Sequence, residues 1–208
     1  MNITIEDLVP VILARAAETK RLIVAIAGPP GAGKSTVSAA LCEAINTIEA
    51  DAAVVVPMDG FHLDNAILEA RDQRKRKGSP STFDCAGLEI LLKRLRAGED
   101  EVVIPLFDRK LDLARAGAGI VRGDQRILLV EGNYLLLNEH PWDRLAPLFD
   151  MTVFLQVDRI EMENRLVQRW LGFGYNVGSA QQRAQSNDIP NAELVLSASR
   201  PADYTVTN

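Results

Sequence analysis

The sequence is short of several things, and each shortage removes a class of function. It has two cysteines in 208 residues, Cys42 and Cys85. Their spacing fits neither a metal site nor a disulfide framework, so both are expected as reduced, buried thiols of a cytoplasmic protein. There is no basic excess: 28 acids against 23 bases leave a formal net charge of −5. That balance speaks against non-specific binding to nucleic acid or to an anionic membrane. The longest uninterrupted apolar run, Leu22 to Ala27, is far too short to cross a bilayer. The opening MNITIEDL has neither the positive start nor the apolar core of a secretory signal. No repeat, low-complexity tract or Ser/Gly linker divides the chain. With 47% hydrophobic and 25% charged residues, it is expected to form one α/β domain over residues 1–208, with room for a small mobile insert.

What is present is an alternation of short apolar runs with longer helical segments. The runs are residues 21–28, 52–59, 101–108, 126–132 and 151–158, each closed by a glycine or an acid. Continuous rather than alternating apolar runs predict a parallel sheet covered on both faces. Ligands then bind beyond the carboxyl ends of the strands. Residues 4–19 read as an amphipathic helix with Thr4 as N-cap. Residues 159–171 and 178–187 read as two more helices around the glycine-bearing GFGYNVG, either a hinged cover or an ordinary connection.

The strongest signal is GPPGAGKST, Gly28 to Thr36. It satisfies G-x-x-x-x-G-K-[ST], with an apolar strand before it and an alanine-rich helix after it. Such a loop turns successive backbone N–H groups towards phosphate oxygens. Gly28, Gly31, Ala32, Gly33, Lys34, Ser35 and Thr36 are therefore expected to bind a nucleoside triphosphate. Lys34 would neutralise the β and γ phosphates, and the Ser35 hydroxyl would join a Mg²⁺ shell.

Other candidates close the remaining runs. Asp59 should emerge on the same edge as the loop, as a base for a substrate hydroxyl or a water-mediated metal ligand; alternatively it opens a turn with Gly60. Glu131 ends RILLVE and reaches towards the metal, or stands as an unpartnered strand-end acid. Asp108 and Arg109 suit the gripping of a polyhydroxylated substrate, or form a surface ion pair. His62 either bonds a substrate hydroxyl or packs. Arg71, Arg74, Lys75, Arg76 and Lys77 make a basic cluster, either a solvated helix end or an attractor of anions to the cleft. Arg165 and Arg169, four apart on one helix face, could stabilise a transferring phosphoryl group or lie exposed; Arg183 is a third candidate.

Taken in order, GPPGAGKST, PMDGFH, GSPSTFD, IPLFDR, LLVEGNYLL, an Arg-bearing helix and PADYTV resemble the P-loop kinases that include uridine kinases, phosphoribulokinases and bacterial pantothenate kinases. The likeness spans roughly residues 21–207. DGFHLDN and FDR look most like the fructose transport system kinase branch of bacterial sugar uptake. The resemblance implies a P-loop NTPase fold with a small helical lid at about residues 159–187, built around Arg165 and Arg169. It implies Asp59 as catalytic base, Glu131 near the metal, and adenine between lid arginines and Ser199, Arg200 and Pro201. It also implies ATP and Mg²⁺ as cofactors and a small-molecule acceptor, a sugar or other polyol, with a nucleoside or pantothenate-like alcohol as the alternative. A rival is a nucleotide-switched ATPase; a GTPase is disfavoured because no Asn-Lys pair occurs. Monomer or homodimer is left open.

Overall fold

β1 (Leu22–Ala27) and β5 (Ile127–Gly132) are buried at every position. Strands with no solvated face belong inside a sheet covered on both sides. The structure, a computed structural model describing residues 1–208, has that sheet. Its five parallel strands run in the order β2 (Ala53–Pro57), β5, β1, β6 (Met151–Gln156) and β7 (Tyr204–Thr207). Along β1 the faces alternate, as the pleat requires. Leu22, Val24 and Ile26 share a core with Leu8 and Ile12 of α1 (Ile5–Ala17) and Leu41 and Ile45 of α2 (Lys34–Ile48). Ile23 and Ala25 share the opposite core with Leu88 and Leu92 of α4 (Cys85–Ala97) and with Trp142. A short α3 (Asn65–Ala70) lies between β2 and α4. Thr4 caps α1 through a hydrogen bond from Asp7 N at 3.1 Å. Both cysteines are free thiols, Cys85 buried and Cys42 half-buried, and no helix is long and apolar enough to cross a membrane.

One expected sheet strand is elsewhere. β3 (Glu101–Asp108) pairs antiparallel with β4 (Leu113–Arg122) in a separate two-stranded ribbon. The physical reason lies in its own residues. Val102 and Ile104 are buried while Glu101 and Val103 are exposed, an alternation that fits a half-covered ribbon. Pro105 cannot donate to a ladder, and the register shifts there, between Ile104 and Leu106. β4, LARAGAGIVR, has no apolar run to announce it.

The segment after β6 is helical as expected, with different bounds. Asp158 caps α5 (Arg159–Gly172) by accepting from Ile160 N and Glu161 N. α6 (Val177–Arg183) is shorter than the expected 178–187, because Ala184–Asp188 widen into a single π turn. Trp170 Nε1 donates to Asp188, and Asn187 donates to the Lys77 carbonyl at 2.8 Å, fixing that turn against the body. α7 (Ile189–Ala198), with Pro190 in its first turn, then returns the chain to β7.

Candidate active site

All five sheet strands end at one rim, and register decides what meets there. Glu131 lies beside Ile26 of β1 and Pro57 of β2, so its carboxyl stands between the loop after β1 and the turn after β2. In the loop, Gly33 adopts φ 82° ahead of α2, whose first turn has no side-chain cap. A left-handed residue there lets the free N–H groups of α2 turn inwards, and a side chain would be strained. Lys34 Nζ spans the loop, donating to the carbonyls of Gly28 and Pro29, each at 2.9 Å. Burial pushes this ammonium down to about 8, against the pull of Glu131 and Asp59. Ser35 Oγ donates to Glu131 Oε1 at 3.2 Å. Burial and the charge of Asp59 push the Glu131 carboxyl up, while Lys34 and Ser35 draw it back.

Asp59 sits in the one-turn helix Met58–Phe61 and is placed by contact with the ribbon. Gly60 lies against Pro105, where an added Cβ would be 2.2 Å from the carbonyl oxygen. That close approach brings the ribbon's turn over Asp59, so Arg109 Nη2 donates to Asp59 Oδ2 at 3.4 Å. His62 Nε2 is 3.9 Å from Asp59 Oδ1. The His62 ring stacks on Phe83 at 4.0 Å between centroids, and burial pushes its pKa down to about 4. Its Nδ1 is buried without a partner.

Two cavities meet here. One, of about 210 Å³, is lined by Lys34, Ser35, Thr36 and Glu131. The other, of about 290 Å³, opens beyond it towards Phe107, Trp170 and Arg183. Asp59, His62, Arg109 and Arg169 belong to the walls of both. A phosphate-binding loop on one side and a second pocket on the other, with a carboxylate in the wall they share, can support group transfer between two bound molecules.

The remaining candidates divide. Arg169 reaches both cavities. Arg165 stays beside the loop, its Nη1 donating to the Gly31 carbonyl at 3.4 Å while Nε pairs with Glu161 at 2.8 Å. Gly28 and Ala32 pack as loop backbone, and the Ala32 carbonyl accepts from Asn208 Nδ2 at 2.8 Å. Asp108 is not brought to the site: it accepts from Lys110 N and Leu111 N and so shapes the ribbon turn. Nor are Arg200 and Pro201. They precede β7, whose other end, Thr207–Asn208, is the one beside the loop; Arg200 instead donates to Asn138 Oδ1 and the Asp143 carbonyl. Two residues of the basic cluster and two with no prior assignment help complete the outer wall. Arg74 and Lys77 emerge from the basic cluster to pair with Asp112 at 2.7 and 2.9 Å, and Trp170 and Asp188 come from the last turn of α5 and from the π turn after α6.

No three His, Cys, Asp or Glu side chains converge as a metal cluster. The oxygen set offered by Ser35 and Glu131 suits a hard cation that shares its shell with phosphate and water.

The sequence profile described as the phosphoribulokinase/uridine kinase family matches residues 23–185. A protein of Escherichia coli K12 described as "Uncharacterized protein YggC" is 34% identical over 189 residues, 90% of this chain and 78% of its own length. The "Putative uridine kinase C227.14" of Schizosaccharomyces pombe is 33% identical over 184 residues, 85% of this chain and 78% of its own. The crystal structure of a "putative fructose transport system kinase" from Silicibacter sp. TM1040 is 43% identical, superposes with a TM-score of 0.92, and covers 98% of this chain and 99% of its own.

Proposed function

The chain belongs to the phosphoribulokinase/uridine kinase family and is an ATP-dependent kinase, and from that premise we propose that it transfers the γ-phosphoryl of Mg-ATP to a hydroxyl of a small polyhydroxylated acceptor of the sugar class, such as fructose. The observation that carries this reading is the wall common to both cavities, in which Asp59 is the one carboxylate. The loop cavity would take the triphosphate and the outer cavity the acceptor. Lys34, held against the loop carbonyls, would turn to the β and γ phosphates when they arrive, exchanging two backbone acceptors for charged oxygens. Ser35 and Glu131 would hold Mg²⁺, which neutralises triphosphate charge. Asp59 would accept the acceptor's hydroxyl proton, with Arg109 orienting its carboxylate. Arg169 would face the charge that spreads over the transferring group, and the cover α5–α6 would exclude water that could otherwise take the phosphoryl.

The same chemistry serves a nucleoside acceptor, the reading favoured by the name of the fission-yeast relative. In either case the enzyme would act in the cytoplasm, as a monomer or homodimer. The test is Asp59→Asn. Nucleotide affinity should be retained while ADP formation with an acceptor falls by at least about 10²; an unchanged turnover would refute the base role.

A further inference from the structure

Arg74, Lys77 and Arg183 line the outer cavity but not the loop cavity. They lie beyond the triphosphate loop, so its charge does not account for them. Arg74 and Lys77 share a single carboxylate, Asp112. Arg183 has no carboxylate partner: its Nη1 donates to the Lys75 carbonyl at 3.0 Å, and its guanidinium stands 5.1 Å over the Trp170 ring. The other acid of this wall, Asp188, accepts from Trp170 Nε1; burial pushes its carboxyl up, while that bond and the charges of Arg169 and Arg183 draw it back. With the residues common to both cavities, five cations (Arg74, Lys77, Arg109, Arg169, Arg183) face three acids (Asp59, Asp112, Asp188) around about 290 Å³. Burial keeps His62 uncharged there. A neutral polyol would leave the free N–H donors of Arg183 without an anionic acceptor in a concave, partly desolvated wall, where such donors are most effective when paired.

We propose that the acceptor carries its own anionic group, a carboxylate or a phosphate, held by Arg183 beside the Arg74–Asp112–Lys77 cluster while its reacting hydroxyl faces Asp59. The inference rests on the kinase reading above and narrows its acceptor from sugars at large to sugar acids and sugar phosphates. The cation surplus has a positioning logic: a planar guanidinium can grip either anion through two parallel hydrogen bonds. In the transfer itself the acceptor oxygen bonds to the γ-phosphorus as the bond to the ADP oxygen breaks. The hydroxyl proton passes to Asp59 and then to solvent, and the anionic group makes and breaks no bonds.

The experiment uses matched pairs on the full chain with Mg-ATP: D-glycerate against glycerol, D-gluconate against D-glucitol, and fructose 6-phosphate against fructose. ADP formation and calorimetric binding are both measured. The expected result is a kcat/KM at least about tenfold higher for the anionic member of the pairs that are used, the first two pairs reporting on carboxylate and the third on phosphate. In Arg183→Gln the KM for that anionic acceptor should rise at least about tenfold, with a smaller change in kcat, and Arg183→Lys should recover most of the loss. Equal or better use of the neutral members overturns the proposal and leaves the kinase reading standing. Binding of an anionic member with no ADP formation in any pair also overturns the proposal, since an acceptor must react, and it then counts against the sugar-class acceptor as well. If no member of any pair binds or reacts, both fall. A loss in Arg183→Gln confined to kcat, or one that Lys does not recover, removes Arg183 from the anion site.

Discussion

The two cavities that meet at Asp59 are built in opposite ways. The loop cavity takes Gly31, Gly33, Lys34, Ser35 and Thr36 from one stretch of nine residues, held by the backbone geometry of a strand, a turn and a helix. The outer cavity draws on residues 59–77, 107–112 and 169–188, which meet only because a ribbon and a cover fold back over the sheet edge. The loop's own part of the first cavity is fixed by local conformation, although Asp59, His62, Arg109, Glu131 and Arg169 reach it from other elements. An assembled site depends on long-range contacts, and a change well away from its chemistry can take it apart.

The largest expected effect lies in the contiguous half. Lys34→Met removes the one ammonium facing the loop and should lower kcat/KM by at least about 10³. A loss under tenfold in a coupled ADP assay would break the assignment of that cavity to triphosphate.

The site also holds two buried basic groups, Lys34 in the loop cavity and His62 in the wall common to both, and their pH windows should differ. Lys34 is depressed from 10.5 to about 8, so between these values the unfolded chain binds the proton that the folded chain has lost, and stability should rise with pH. His62 is depressed from 6.5 to about 4; stability should likewise rise with pH across that lower window and be lost as pH falls through it. Each effect is worth about 3 kcal/mol at full extent. Urea titrations across pH, compared with Lys34→Met and His62→Gln, isolate each window. The comparison matters because Cys85, pushed up to about 11, acts in the opposite direction once its unfolded thiol ionises. If either variant keeps the slope of the parent protein, that residue is not the source.

Gly60→Ala sharpens the contrast through contact rather than charge. The new Cβ would press on the Pro105 carbonyl, separating the Asp59 turn from the ribbon. The cost should be about 2 kcal/mol in stability, with acceptor turnover falling more than ATP affinity. Equal losses in both would mean that the two cavities are mechanically one. The smallest effect is expected at Asp108. Asp108→Ala removes two hydrogen bonds of the ribbon turn and should cost about 1 kcal/mol, with kcat/KM changed by less than about threefold; a large kinetic loss would return Asp108 to the substrate site.

Much of this contrast was legible in the residues. GPPGAGKST declared its own geometry, because glycines, a lysine and a hydroxyl at fixed spacing have few other uses between an apolar strand and a helix. Asp59 and Glu131 could be placed on the same rim because parallel strands end together. The run EVVIPLFD misled: an apolar octet is compatible with either kind of sheet, and its partner β4 is too rich in Gly, Ala and Arg to read as a strand. Arg109 nevertheless lies over Asp59, brought there by a ribbon turn rather than a sheet edge. Arg200 and Pro201 fell at the wrong end of β7, since a short terminal strand gives no local sign of which of its ends meets the loop.

The amino-acid order alone settled the parallel sheet, the phosphate loop and the acids nearest to it, because each follows from contacts within one or two consecutive elements. Which of the many arginines and lysines line the outer cavity was decided only in three dimensions. Arg74, Lys77, Arg169 and Arg183 are indistinguishable in the sequence from exposed helix charges. They become a wall because the contacts of Trp170 with Asp188 and of Gly60 with Pro105 fold the cover and the ribbon over the sheet, and contacts so distant in the chain leave no periodicity to read.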